Sequence, residues 1–119
     1  MGINKVSSQA HNIEYGRGDS FEKLIVVTDS DNLPVDVTGC TFSLTVDERE
    51  NPDDVSTRVF VVIGTIVDAE NGKVEFAPTS TDTNIDPKSY FYDIEMISAS
   101  SRKRTLIKGK FIIVQDITK

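Results

Sequence analysis

Cys40-Thr41-Phe42-Ser43-Leu44-Thr45-Val46-Asp47 alternates apolar and polar residues along its whole length. A strand turns successive side chains to opposite faces, so Phe42, Leu44 and Val46 share one face and Thr41, Ser43, Thr45 and Asp47 the other. One dry face and one wet face are the pattern of an antiparallel sheet that covers a core from one side. Ser89 to Ser98 repeats it, setting Tyr90, Tyr92, Ile94 and Met96 against Phe91, Asp93, Glu95 and Ile97. No helix-period stretch of useful length accompanies these strands.

Outward from these two segments the period stays that of strands. Phe21 to Thr28 is rich in β-branched residues and reads as a buried strand, stopped by Asp29-Ser30-Asp31-Asn32-Leu33-Pro34. Gly39 closes the turn before Cys40. Val59 to Val67 reads as one strand, with Gly64 as a bulge or close backbone approach. Asn71-Gly72 is the strongest hairpin signal in the chain, and Lys73 to Ala77 is the returning strand. Pro78 to Pro87 reads as a loop or one short helical turn. Thr105 to Val114 is the last strand, bulged at Gly109. At the other end, Ile13 and Tyr15 alternate with Asn12 and Glu14 as a short edge strand. Short strands at regular spacing predict an all-β, antiparallel β-sandwich of about 6–8 strands with no significant helix.

The 119 residues make one domain, with 38% hydrophobic and 27% charged side chains. One Cys excludes an internal disulfide framework and a Cys-based zinc site. One His leaves any triad resting on His11, and nothing near His11 supports one. The longest apolar run, Val59 to Ile63, is far below the roughly 18 residues that span a membrane. The start, Met1-Gly2-Ile3-Asn4-Lys5, has no apolar core of a secretory signal. The net charge is −6, against a nucleic-acid binder. That charge is uneven: residues 1–100 carry 7 basic and 18 acidic side chains, and residues 101–119 carry 6 basic and 1 acidic.

Several clusters invite chemistry. Arg17-Gly18-Asp19 matches the integrin tripeptide, but Gly16 and Gly18 are more simply residues of a turn that tolerates positive φ. Asp29, Asp31, Asn32 and Asp36 offer oxygens to a cation, yet Leu33 and Pro34 break the calcium-loop pattern, and a solvated turn is the expectation. Glu48, Glu50, Asp53 and Asp54 form an acidic loop after Asp47. Arg102-Lys103-Arg104 is a basic hairpin tip without aromatic interleaving for base stacking. Cys40 is expected as a small buried residue. Tyr92 stands two positions before a core residue, where a sandwich of immunoglobulin type places a tyrosine whose hydroxyl bonds back to the backbone; Tyr90 is the other candidate.

From Gly18 to Thr118 the order of these features resembles a family of tailed-phage virion domains, above all the N-terminal immunoglobulin-like domain of phage baseplate upper proteins. The matching pieces are Gly18-Asp19-Ser20-Phe21, Asp29 to Asn32, Pro34 to Gly39 with Phe42, Asp68 with Asn71-Gly72-Lys73-Val74, and Tyr90-Phe91-Tyr92-Asp93-Ile94. Leu106, Lys108-Gly109-Lys110-Phe111 and Asp116-Ile117-Thr118 close the series. The acidic loop is longer than the resemblance implies, and Lys88-Ser89 stands where it implies a Gly. The resemblance implies a virion structural protein without enzymatic activity, made in the host bacterial cytoplasm. Ending at Lys119, the chain fits a tail, neck or baseplate adaptor or accessory protein. The alternatives are a capsid decoration protein and a bacterial immunoglobulin-like adhesion or carbohydrate-binding module.

The expected organisation is a flexible or docking N-terminal arm over residues 1–16 and one immunoglobulin-like sandwich over 17–119. The expected partners are other virion proteins and copies of the chain itself, with no nucleic acid, membrane, small-molecule substrate, metal or cofactor. The candidate contacts are Ile13 and Tyr15 on the arm, the carboxylates Glu48, Glu50, Asp53 and Asp54, and the cations Arg102, Lys103 and Arg104, opposite charges that meet between copies. Tyr90, Tyr92, Gly39, Gly72 and Gly109 are expected to serve the architecture.

Overall fold

The computed structural model describes residues 5–6 and 12–115. Among them nine strands occur: β1 (Lys5–Val6), β2 (Ile13–Gly16), β3 (Lys23–Thr28), β4 (Thr41–Asp47), β5 (Arg58–Ile63), β6 (Thr65–Asp68), β7 (Lys73–Phe76), β8 (Lys88–Ile97) and β9 (Lys103–Val114). They form a four-stranded sheet in the order β1-β3-β7-β6 and a five-stranded sheet in the order β2-β9-β8-β4-β5. All pairings are antiparallel except that of β2 with β9. The chain is an immunoglobulin-like β-sandwich.

The alternation of the sequence places the core. Phe42, Leu44 and Val46 of β4 are buried, as are Tyr90, Tyr92, Ile94 and Met96 of β8. Ile25 and Val27 of β3 and Val74 and Phe76 of β7 meet them from the other sheet. Each such side chain contributes roughly 1.5–3 kcal/mol on burial. Phe21 lies ahead of β3, not in it, yet is buried between the rings of Tyr15 and Phe111.

Three expectations need correction. The boundary at residue 16 is not where the fold divides: β1 pairs with β3, and β2 pairs with β9, so both belong to the sheets. The run Val59 to Val67 is two strands, and the chain changes sheets at Gly64. A Cβ at Gly64 would lie 2.8 Å from the Phe76 ring and 2.9 Å from a Val74 methyl, so only glycine lets the backbone pass this close to the core. The register shift between β8 and β9 falls between Ile94 and Glu95, opposite Leu106. Gly109 is not bulged; it pairs in register with Tyr92 and adds no side chain beside that ring.

Of the two candidates for the corner tyrosine, Tyr90 makes the corner bond. The Tyr90 hydroxyl donates to the backbone carbonyl of Asp86 at 2.6 Å, four residues upstream and just before β8. Tyr90 therefore holds the corner of the sandwich. That corner is itself folded by a reciprocal cap. The Thr79 N–H donates to Asp82 Oδ2 at 2.9 Å, and the Asp82 N–H to Thr79 Oγ1 at 3.2 Å. Gly72 takes φ 66° in the turn before β7, and a Cβ there would stand 2.7 Å from the Val27 carbonyl oxygen. Gly39 also has positive φ, at 80°.

Candidate protein-contact face

Strand alternation sends Thr45 and Asp47 of β4, Phe91, Asp93 and Glu95 of β8, and Lys108 and Lys110 of β9 to the outer side of the five-stranded sheet. Register aligns them in rows: Thr45, Asp93 and Lys108 in one, Asp47, Phe91 and Lys110 in the next. The loop between β4 and β5 overhangs this floor, and together they enclose an open trough of about 640 Å³.

Asp47 anchors the loop. Its Oδ1 accepts from the Arg49 N–H at 2.9 Å and from the Thr57 hydroxyl at 2.7 Å. The Glu48 N–H donates to the Thr57 carbonyl, and the Ser56 N–H to Asp54 Oδ1 at 2.8 Å. The hydrogen bond from Ser56 holds the Asp54 carboxyl below the usual carboxylate range. On the floor, burial and the neighbouring Glu95 carboxylate raise the pKa of Asp93, opposed by the nearby cations of Lys108 and Arg58. Five carboxylates (Asp47, Glu50, Asp54, Asp93, Glu95) and five cations (Arg49, Arg58, Lys103, Lys108, Lys110) line the trough. The balance is neutral overall, with an acidic loop facing the basic strand β9. Such a surface suits a partner that itself carries both signs, and it is unlike a phosphate-binding face.

The expected contact residues divide. Glu50, Asp54 and Lys103 come together on this trough. Glu48 is occupied elsewhere, paired with Lys88 Nζ at 2.7 Å, and that ammonium lies 5.0 Å from the centre of the Tyr90 ring. Asp53 points into solvent, 3.9 Å from Arg49. The basic tip does not act as a unit. Lys103 sits opposite Ile97 and 3.8 Å from Glu95, whereas Arg104 is half-buried opposite Met96, on the inward-facing register. Arg102 is exposed at the turn, its N–H bonded to Ser98 Oγ.

Ile13 and Tyr15 are corrected as partner contacts. Ile13 is buried, and the Tyr15 ring stacks on Phe21 at 3.7 Å with an interplanar angle of 7°. The rest of the expected arm, residues 1–11, lies outside the described residues apart from β1. Sequence reasoning missed Asp93 and Glu95, which it read as the wet face of a strand, and Lys108 and Lys110, which it read only as part of the last strand. Their signal is an acidic alternation on one strand against a basic alternation on the next.

The other clusters are spent on structure. Asp29 Oδ1 accepts from the N–H groups of Asp31 and Leu33, and Asp36 Oδ1 from the N–H and hydroxyl of Thr38. Among the described residues no group of three or more acidic, His or Cys side chains is placed to hold a metal. Arg17-Gly18-Asp19 is stitched to the corner: Arg17 Nε donates to Asn84 Oδ1 at 3.2 Å, the Gly18 N–H to the Thr83 carbonyl, and the Thr83 hydroxyl to the Asp19 carbonyl at 2.7 Å. Cys40 is half-buried against the core. All six Phe and three Tyr are buried or half-buried, so no row of exposed rings is there to stack on a sugar.

No protein-family model matches the chain, and no curated protein matches it. Solved structures do resemble it. CopC from Methylosinus trichosporium OB3b has a TM-score of 0.51 at 10% identity, over 98% of this chain and 99% of that one. The GspB Siglec domain has a TM-score of 0.56 at 19% identity, over 95% of this chain and 58% of that one. Domain 1 of VCBP3 from Branchiostoma floridae gives a TM-score of 0.43 at 11% identity, over 100% of this chain and 99% of that one. At these identities the first two likenesses bear on the fold alone, and the fold is the immunoglobulin-like sandwich.

Proposed function

We propose that the chain is a non-enzymatic structural module of a tailed-phage particle, acting through protein–protein contacts on the outer face of its five-stranded sheet. The observation that carries the contact reading is the trough, where an acidic loop faces a basic strand across an open floor. The particle setting rests on the ordered resemblance from Gly18 to Thr118 to the N-terminal domain of baseplate upper proteins. The block is rigid because its sheets share one apolar core, so binding there costs little ordering.

The test is quantitative mass spectrometry of purified particles from the source, counting this chain against the portal protein. A small multiple of three or six copies per particle supports a neck, tail or baseplate position. Hundreds of copies make it a capsid decoration protein. Absence from particles overturns the virion reading and leaves a binding module of the immunoglobulin type.

A further inference from the structure

We infer that the edge strand β5 pairs with β5 of a second copy of the chain, joining two five-stranded sheets into one continuous sheet. The inference stands apart from the trough, since neither Val61 nor Ile63 lines it.

The argument starts from the backbone. The Gly64 N–H donates to the Phe42 carbonyl at 2.8 Å. Gly64 and Phe42 continue the register in which Ser43 faces Ile63, Leu44 faces Val62 and Thr45 faces Val61. Hydrogen-bonded pairs alternate with non-bonded pairs in an antiparallel ladder. Leu44 with Val62 and Val46 with Phe60 are therefore the bonded pairs. The N–H and C=O groups of Val61 and Ile63 point the other way, to the open side of β5. Among the described residues no strand lies there, because β5 ends the order of its sheet.

The other sheet edges are blunted. β1 has two residues and β2 four, and β6 carries a register shift between Ile66 and Asp68. β5 has six residues, no Pro, and an irregularity only at its start, opposite Val46 and Asp47. Of its outward side chains only Arg58, at its start and on the trough, is charged; Val61 and Ile63 beyond it are apolar, 38% and 69% exposed. Regular, apolar, unprotected edges are what strand addition uses.

A second copy is the occupant that these residues complement. Val59 to Ile66 carries no charge. Two copies of a chain with net charge −6 meet here without opposing like charges. A two-fold axis through Val62 sets Val61 opposite Ile63 of the copy, and Ile63 opposite its Val61. Both are then bonded pairs, which closes about four hydrogen bonds between the chains. The same operation packs β-branched side chains against each other on the outer face.

The experiment is sedimentation velocity on the full chain over a concentration series, with residue-resolved hydrogen exchange at both ends of the series. We expect a monomer–dimer equilibrium in which the amides of Val61 and Ile63 gain protection as the dimer forms. The double variant Val61→Lys with Ile63→Lys places like charges opposite one another and weakens the dimer roughly tenfold or more. Both side chains are exposed, and an unchanged near-ultraviolet circular dichroism spectrum verifies the fold. Leu33→Lys, at an exposed leucine in the turn before Pro34, leaves the dimer as it was. A chain that stays monomeric to about 1 mM overturns the inference. So does a dimer that leaves the two amides unprotected, or one that the double lysine variant forms as well as wild type.

Discussion

Tyr90 and Tyr92 stand two positions apart on β8, both buried and both turned to the core, yet the fold uses them differently. Tyr90 ties the corner through the Asp86 carbonyl. Burial pushes the Tyr92 phenol up to about 12, from an ordinary value of 10.0. The unfolded chain thus releases this proton near pH 10 while the folded chain keeps it. Between those values the folded state binds more protons, so stability falls as pH rises. We expect unfolding by urea to show a steady loss of stability from pH 9.5 to about 11.5. Burial also raises Tyr90, which adds to the same fall. Tyr92→Phe makes the slope shallower without removing it, and a variant with the wild-type slope would show that Tyr92 is not the group responsible. The choice between the two tyrosines was not legible in the sequence. Both precede a core residue by two positions, and only the approach of the Asp86 carbonyl separates them.

At the scale of elements, the chain crosses between sheets at Gly64 without a loop, turning β5 of one sheet directly into β6 of the other. A methyl group there meets the Phe76 ring, a Val74 methyl at 2.9 Å and the Phe42 Cβ at 3.0 Å, all on fully buried residues of the core. Gly64→Ala is therefore expected to destabilise the fold by about 2 kcal/mol, within the ordinary range for overpacking a core. Urea unfolding measures this directly, and a change below about 0.5 kcal/mol would mean that the core yields more easily than its packing implies. The strands with a wet face, β4 and β8, were legible because alternation marks both the strand and the side it buries. The run from Val59 to Val67 is apolar on both sides, so its pattern marks a strand without saying which sheet holds it. Gly64 was its single punctuation. The parallel pairing of β2 with β9 left no mark either, because four residues of alternation carry no direction.

For the whole molecule, the excess of acid before residue 101 and of base after it becomes a geometric fact. The β4–β5 loop and β9 are far apart in sequence, and the sheet order brings them to opposite sides of one trough. Opposite charge was legible in the composition. Which charges share a surface was not, since Glu48 is taken by Lys88 and Arg104 turns inward, while Lys108 and Lys110 look outward from strand positions that a search for clusters passes over. If the trough is the contact face of the proposed particle protein, its attraction is electrostatic and partly exposed. The screening length falls from about 10 Å at 0.1 M salt to about 3 Å at 1 M. Particles washed at 1 M salt are then expected to retain less of this chain than particles washed at 0.1 M, as measured by quantitative mass spectrometry. Lys108→Glu with Lys110→Glu turns the basic side of the trough acidic and is expected to abolish incorporation while the isolated protein stays folded. Arg102→Glu changes the charge of the hairpin tip outside the trough and is expected to leave incorporation intact. The comparison separates a loss of overall charge balance from a loss of this face. If Arg102→Glu prevents incorporation and the double β9 variant does not, contact lies at the tip of the β8–β9 hairpin and the trough is a solvated surface.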